Sequence, residues 1–469
     1  MRTQYCGCGD HCNCAVIPNH NDATISGPMQ PHWTIVGPHR TAFRLHQAVS
    51  NSKIILAMKV RGSEVLNGKY TARNTPKSIV LVLFTLLLIM LPLSLMRYSN
   101  ESSPKISFVK NSTQVKQCHL FSGKWIPYPE GPYYNNETCH WIIDQQNCIK
   151  FGRPDSEFLQ WRWKPDECEL PIFDATQFLK LVKGKKMVFV GDSVGINQMF
   201  SLLCLLSDVS EPKDISMKHT SDRTYFKRFY YAEYNFTLAN LWSPYFVKSS
   251  DADTNGHSYD SIMKLYLDEV DEAWANQIED FDIVIISAGH WFFRPLLFYE
   301  NGELVGCNKC GKQNVTDLAH YYGYKKAFRT AFRTLISLRR FKGVTFFRTF
   351  SPSHFENGDW NRGGKCIRTK PFTKEEMMLE GNFLETYLTQ VEEFKAAKKD
   401  AIKRGLQFNM LDTTEIMLLR PDGHPNNFGH AKDKNVTIND CVHWCLPGPV
   451  DTWNEFLFYM LKLGHTSFG

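Results

Sequence analysis

The sequence predicts an α/β fold with a parallel central sheet, and three observations carry that prediction. Short apolar segments at 187–190, 281–287, 344–349 and 408–411 have the length and composition of buried strands. Helix-compatible runs lie between them, at 194–206, 321–338 and 383–404. Each strand also ends in a polar or glycine-containing turn: Gly191-Asp192-Ser193, Gly289-His290, Ser351 to His354, and Asp412. Apolar strands separated by helices pair in parallel, with both faces of the sheet covered. Ligands gather at the C-terminal ends of such strands, which places Ser193, His290, His354 and Asp412 near one edge.

The chain has 469 residues, enough for more than one lobe. Its net charge of +6 is scattered, so no nucleic-acid partner is expected. Residues 1–77 are polar and lack a sustained apolar period, and they read as a disordered cytosolic tail. Cys6, Cys8, Cys12 and Cys14 stand there beside His11 at a spacing open to a soft metal. They read as part of the unfolded leader, and no bound metal is expected. Residues 78–96 carry no charge, and at about 1.5 Å per residue they nearly span a hydrocarbon core. They lie too far from the N-terminus for a cleaved signal peptide and read as a signal anchor.

Topology follows from what lies on each side of that span. Asn100, Asn111, Asn136, Asn235, Asn314 and Asn435 each begin a glycosylation sequon, and all six follow it. Ten of the 14 Cys follow it as well, which suits an oxidising lumen. The expected protein is single-pass and type II, with a polar stem at 97–117. Residues 118–170 hold Cys118, Cys139, Cys148 and Cys168 among many aromatic and proline residues. They are expected to form a minor lobe held by disulfides, with the α/β domain filling 171–469. Cys204, Cys307, Cys310, Cys366, Cys441 and Cys445 are further disulfide candidates, and their pairing is open.

Two motifs carry chemistry. Gly191-Asp192-Ser193 joins the first clear strand to a helix, which holds a hydroxyl above free helical N–H groups. The plainer reading is a helix cap by Asp192 or Ser193. Near the C-terminus, Asp440 and His443 stand three residues apart, a spacing that brings both to one side of a turn. A carboxylate there holds one imidazole N–H and leaves the other nitrogen as a base for a serine nucleophile. Cys441 and Cys445 flank His443. Their rival role is zinc ligation with His443, but the lumenal setting favours disulfides. His424 lies in a turn rich in Pro and Gly and lines the expected cleft without a catalytic assignment.

These residues resemble the plant trichome birefringence-like family of the PC-esterase group, related to the SGNH (GDSL-type) hydrolases. The resemblance spans the region after the apolar segment. It rests on GKW at 123–125, NCIKFGRPD at 147–155, LQWRWKPDECELP at 159–171, the GDS block, and DCVHWCLPGPVDTWNEFL at 440–457. YLDEVDEAW, ISAGHWFFRP, GCNKC at 306–310 and RTFSPSHFENGDWNRGG look most like the subgroup that acetylates xyloglucan, with a mannan-acetylating subgroup close behind.

The resemblance implies an SGNH-like three-layer α/β/α domain in the Golgi, acting on cell-wall polysaccharide hydroxyls. Ser193 matches the nucleophile, His443 the base and Asp440 its partner. Oxyanion donors are expected at the Ser193 N–H and the Gly289–His290 loop. The acetyl donor, acetyl-CoA or an acetylated intermediate, is a co-substrate, and no bound cofactor is implied. Expected partners are the polysaccharide acceptor and other Golgi polysaccharide-synthesis proteins. An acetyl esterase with the same triad and a non-catalytic polysaccharide-binding protein are the rival readings. One departure stands out: Ile196 occupies the position where the family usually has Arg, before Asn197 and Gln198.

Overall fold

The computed structural model describes residues 118–218, 226–252, 261–430 and 439–466. All of them belong to the second of two compact units, Lys110–Gly469. The expected tail, the 78–96 span, the 97–117 stem and Asn100, Asn111 and Asn435 lie outside the described residues. Among the described residues no helix is long and apolar enough to cross a membrane.

The described residues open on a minor lobe with two antiparallel strands, β1 (Gly123–Pro127) and β2 (Trp161–Pro165), which place Trp125 opposite Trp163. The two buried indoles meet edge to face at 5.7 Å. The Trp163 N–H donates to Leu120 O within the lobe, and the Trp125 N–H donates to Ile416 O across to the main domain. Two indole donors are thus satisfied while their rings bury apolar area, which compensates for sparse regular structure here. Cys118–Cys168 closes the lobe, and Cys139–Cys204 fastens it to the helix after Ser193.

The main domain begins with α1 (Ala175–Leu181), β3 (Lys186–Gly191) and α2 (Ser193–Ser207). Next come β4 (Lys213–Asp214), β5 (Lys227–Tyr231), β6 (Phe236–Trp242), β7 (Val247–Asp251) and β8 (Met263–Val270). Then follow β9 (Ile283–Ser287), β10 (Leu296–Glu300), β11 (Glu303–Asn308), α3 (Ala319–Ser337) and β12 (Val344–Arg348). The last elements are α4 (Gly381–Lys403), β13 (Gln407–Leu411) and α5 (Asp451–Thr466).

The main sheet has the order β13-β12-β9-β3-β6-β5-β4. It is parallel from β13 to β6, and β5 and β4 add an antiparallel edge. Side chains alternate across it. Met187 and Phe189 pack with α2 and α5, while Val188 and Val190 pack with α3 and α4. Helices therefore cover both faces. The expected parallel central sheet is present, with an antiparallel edge, but β7, β8, β10 and β11 form a second, mixed sheet of order β11-β10-β8-β7 that the sequence reading lacks. β8 mixes polar and apolar positions, β7 is buried only at its first residue, and β10 and β11 are buried over only part of their length, so none has the continuous apolar signature.

Candidate active site

The site is built where β3 ends. Gly191 has φ +150°, and a Cβ there would lie 1.7 Å from Ser287 O of neighbouring β9. Only glycine lets the strand run this close to its neighbour and turn at once into a helix. Asp192 is the N-cap of α2, its Oδ1 accepting the Val194 N–H at 3.1 Å. Its Oδ2 accepts the Gly289 N–H at 2.9 Å, which ties the turn after β3 to the turn after β9. Burial raises the Asp192 carboxyl pKa, against the Arg348 charge and these two N–H donors. The capping role therefore belongs to Asp192, and Ser193 stands free at the first helical position, partly exposed.

His443 reaches Ser193 across 250 residues of sequence. The Ser193 hydroxyl lies 2.7 Å from His443 Nε2, and His443 Nδ1 lies 2.8 Å from Asp440 Oδ2. The hydroxyl donates to Nε2, and the Nδ1–H donates to the carboxylate, which sets the imidazole tautomer. Asp440 Oδ1 accepts the backbone N–H groups of Val442 and His443, so the carboxylate also shapes the loop that carries the ring. The side chains of His443 and Asp440 are 27% and 24% exposed, which leaves the site open to a substrate. Burial works against the Asp440 charge, but His443 and the two N–H donors outweigh it and hold the carboxyl well below the usual range. Burial also opposes charge on His443, but Asp440 and then Asp192 raise its pKa above the ordinary value of 6.5.

The loop under His443 is fastened on every side. Cys366–Cys441 and Cys148–Cys445 bracket it. Both sulfurs beside His443 are thus covalently paired and are not zinc thiolates. Asn197, fully buried on α2, accepts the Trp444 N–H at 2.7 Å and donates to Trp444 O at 3.2 Å. Asp440 and Asn426 exchange backbone hydrogen bonds at 2.8 Å. From the minor lobe, the Arg153 guanidinium donates to Asp422 O and His424 O and pairs with Asp155. The GRPD segment thus props the turn on which His443's loop rests.

Other expected positions fall as follows. The Gly289 N–H is taken by Asp192, so the expectation that it holds an oxyanion is corrected. The His290 ring donates to Ser351 O at 2.8 Å, and burial lowers its pKa to about 4. It is a neutral ring committed to a loop carbonyl, so it offers no ring donor to an oxyanion. The Ser193 N–H takes no partner among the described residues. His354 is buried against His424. Asp412 ends β13, at the far edge of the sheet, and accepts from Tyr387 Oη. Cys307–Cys310 closes a turn after β11. Asn136, Asn235 and Asn314 are exposed. Ile196 is partly buried and packs against the apolar core beside α2.

Sequence reasoning missed Asn197, Arg348 and the role of His424. Arg348 is buried, donates to Ser287 Oγ at 2.8 Å and lies over the Trp453 ring. The one available signal was polar Asn197-Gln198 inside an otherwise apolar helix.

This fold and site define an acyl-esterase-type α/β protein. The chain matches the PC-Esterase model, a GDSL/SGNH-like acyl-esterase family found in Pmr5 and Cas1p, over residues 170–460. It matches the PMR5 N terminal Domain over 116–169. It belongs to this family. It is 52% identical over 353 residues to Protein trichome birefringence-like 19 of Arabidopsis thaliana, covering 75% of this chain and 82% of the relative. It is 44% identical over 360 residues to Xyloglucan O-acetyltransferase 4 of Populus trichocarpa, covering 76% and 84%. It is 42% identical over 349 residues to xyloglucan O-acetyltransferase 2 of Arabidopsis thaliana, covering 74% and 83%.

Proposed function

We propose that the protein is a polysaccharide O-acetyltransferase of the Golgi lumen that acetylates a hemicellulose, most closely xyloglucan, through an acetyl-serine intermediate. The observation that carries this reading is the relay from Ser193 Oγ to His443 Nε2 and from Nδ1 to Asp440. Membership of an acyl-esterase family and relatives named for xyloglucan O-acetylation support the acceptor class. The apolar segment at 78–96 supports a type II membrane anchor, and the exposed sequons at Asn136, Asn235 and Asn314 suit a lumenal domain.

The chemistry is a double displacement. His443 Nε2 takes the Ser193 proton as Oγ attacks the acetyl carbonyl of the donor. Negative charge grows on the carbonyl oxygen, and the Ser193 N–H at the start of α2 meets it, aided by the helix terminus. The bond to the leaving group breaks, and His443 returns the proton to that group. A sugar hydroxyl then gives its proton to His443 and attacks acetyl-Ser193, the bond between Ser193 Oγ and the acetyl carbon breaks, and His443 returns the proton to Oγ as the acetylated sugar leaves. Asp440 keeps the Nδ1–H in place and stabilises the imidazolium that forms in each half.

The test offers acetyl-CoA with xyloglucan, mannan and xylan oligosaccharides to the purified full-length protein and reads products by mass spectrometry. Acetyl on xyloglucan that disappears with Ser193→Ala is the expected result. Acetate without acetylated sugar would make it an esterase. Full transfer by Ser193→Ala would end the reading.

A further inference from the structure

Beneath His443 lies a chain of three short contacts through two buried histidines. Leu418 O is 2.9 Å from His354 Nε2, His354 Nδ1 is 2.7 Å from His424 Nε2, and His424 Nδ1 is 2.6 Å from His443 O. His354 and His424 are 6% and 2% exposed, and the His424 ring stacks on Trp444 at 4.0 Å. Both ends of the chain are carbonyls, which only accept. Three hydrogen bonds between these ends need three protons on four ring nitrogens. Two neutral imidazoles carry two. A third proton is therefore required, or one contact sets two lone pairs against each other inside the protein.

We propose that His354 and His424 share three protons as one buried imidazolium, and that this pair is a positioning device for His443, fixing its carbonyl and counterbalancing Asp440. The proposal rests on His443 acting as base for Ser193.

The surrounding charges leave one anion for such a cation to balance. Arg420 pairs with Asp422 in full burial, and Arg153 pairs with Asp155, so both sets are internally balanced. Asp192 faces Arg348, and the His290 ring is neutral. That leaves Asp440, anionic beside a base that must be neutral to work. Burial lowers the His354 pKa to about 4 and, together with the His354 charge, pushes His424 well below 6.5, against Asp422 and Asp440 respectively. The third proton is therefore required by the two carbonyl ends of the chain and not by the titration of either ring alone. A positive charge on the far side of the His443 backbone balances Asp440 and resists over-stabilising the protonated base. The histidine then stays available near neutrality while keeping the hydrogen bond that orients it.

His354→Gln separates charge from geometry, because its amide can still donate to His424 Nε2 and leaves the His424 Nδ1–H on His443 O. The readout is the pH dependence of Ser193 labelling by a fluorophosphonate probe on the full-length protein, which needs no acceptor sugar. The expected result is an acid limb moved upward by about one pH unit, so labelling below the limb slows about tenfold while the high-pH plateau holds. An unmoved limb in a folded variant overturns the proposal. If the variant does not fold, 15N-histidine spectra of the wild type decide: three protonated nitrogens on the pair near neutral pH support it, and two overturn it. A wild type that labels nowhere would instead remove Ser193 as nucleophile, and the same spectra would still judge the proton count.

Discussion

Asp440→Asn is the most informative single change. The carboxylate does two jobs with two oxygens. Oδ2 accepts His443 Nδ1–H, and Oδ1 accepts two backbone N–H groups of its own loop. Asparagine keeps the second job, since its carbonyl takes the place of Oδ1. It reverses the first, because an amide NH2 now faces Nδ1 and makes that nitrogen the acceptor. The ring proton moves to Nε2, and Ser193 meets an N–H where it needs a lone pair. The loss combines the wrong tautomer with the absent stabilisation of the imidazolium, about 4–5.5 kcal/mol or 10³–10⁴-fold in rate. The fold should change by no more than about 1 kcal/mol, since the loop bonds survive. The assay is the initial rate of acetyl transfer to a xyloglucan oligosaccharide, with thermal melting as the control. A folded Asp440→Asn protein within tenfold of wild type would refute the reasoning.

Other outcomes follow from the same geometry. Because Asp440 raises the His443 pKa above 6.5, and the base must be neutral, wild-type rate should fall as pH drops through a midpoint above that value in a pH–rate profile. Asn197→Ala strands the buried N–H and C=O of Trp444, costing about 2–4 kcal/mol in denaturant melts, and the loosened loop should slow Ser193 labelling about 10- to 100-fold. Glu455 accepts from Tyr133 Oη, and burial raises its pKa from 4.5 to about 7. Its folded pKa lies above its unfolded one, so the stability it adds is complete below the unfolded value and is lost as pH rises through about 7. Stability should therefore rise on acidification across that window, by about 3 kcal/mol in all, seen as a climb in melting temperature that Glu455→Gln should flatten.

The strand, turn and helix around Gly191-Asp192-Ser193 were legible because burial on both faces leaves β3 an unbroken apolar run. The Asp440–His443 pair was legible because its partners lie within one turn. Its connection to Ser193 crosses 250 residues, a contact that no local period encodes; the chemistry of an acid–histidine pair suggested it and the family resemblance supported it. The second sheet went unread because β8 mixes polar with apolar residues and β7, β10 and β11 are buried over only part of their short length. Gly289 was assigned to the wrong role for a local reason. It lies at the expected sheet edge, but Asp192 reaches across and takes its N–H. His424 looks ordinary in sequence and Asn197 shows only as a polar residue in an apolar helix; their importance comes from backbone groups that only folding delivers to them.

The central claim is that acetyl passes through Ser193, and peptide mass spectrometry tests it most directly. The full-length protein is exposed to acetyl-CoA without acceptor, digested, and the peptide containing residue 193 is weighed. Acetyl should appear on Ser193 and be discharged when a xyloglucan oligosaccharide is added, with the same acetyl appearing on the sugar. Transfer that proceeds while Ser193 never carries acetyl, or that persists in Ser193→Ala, would contradict it.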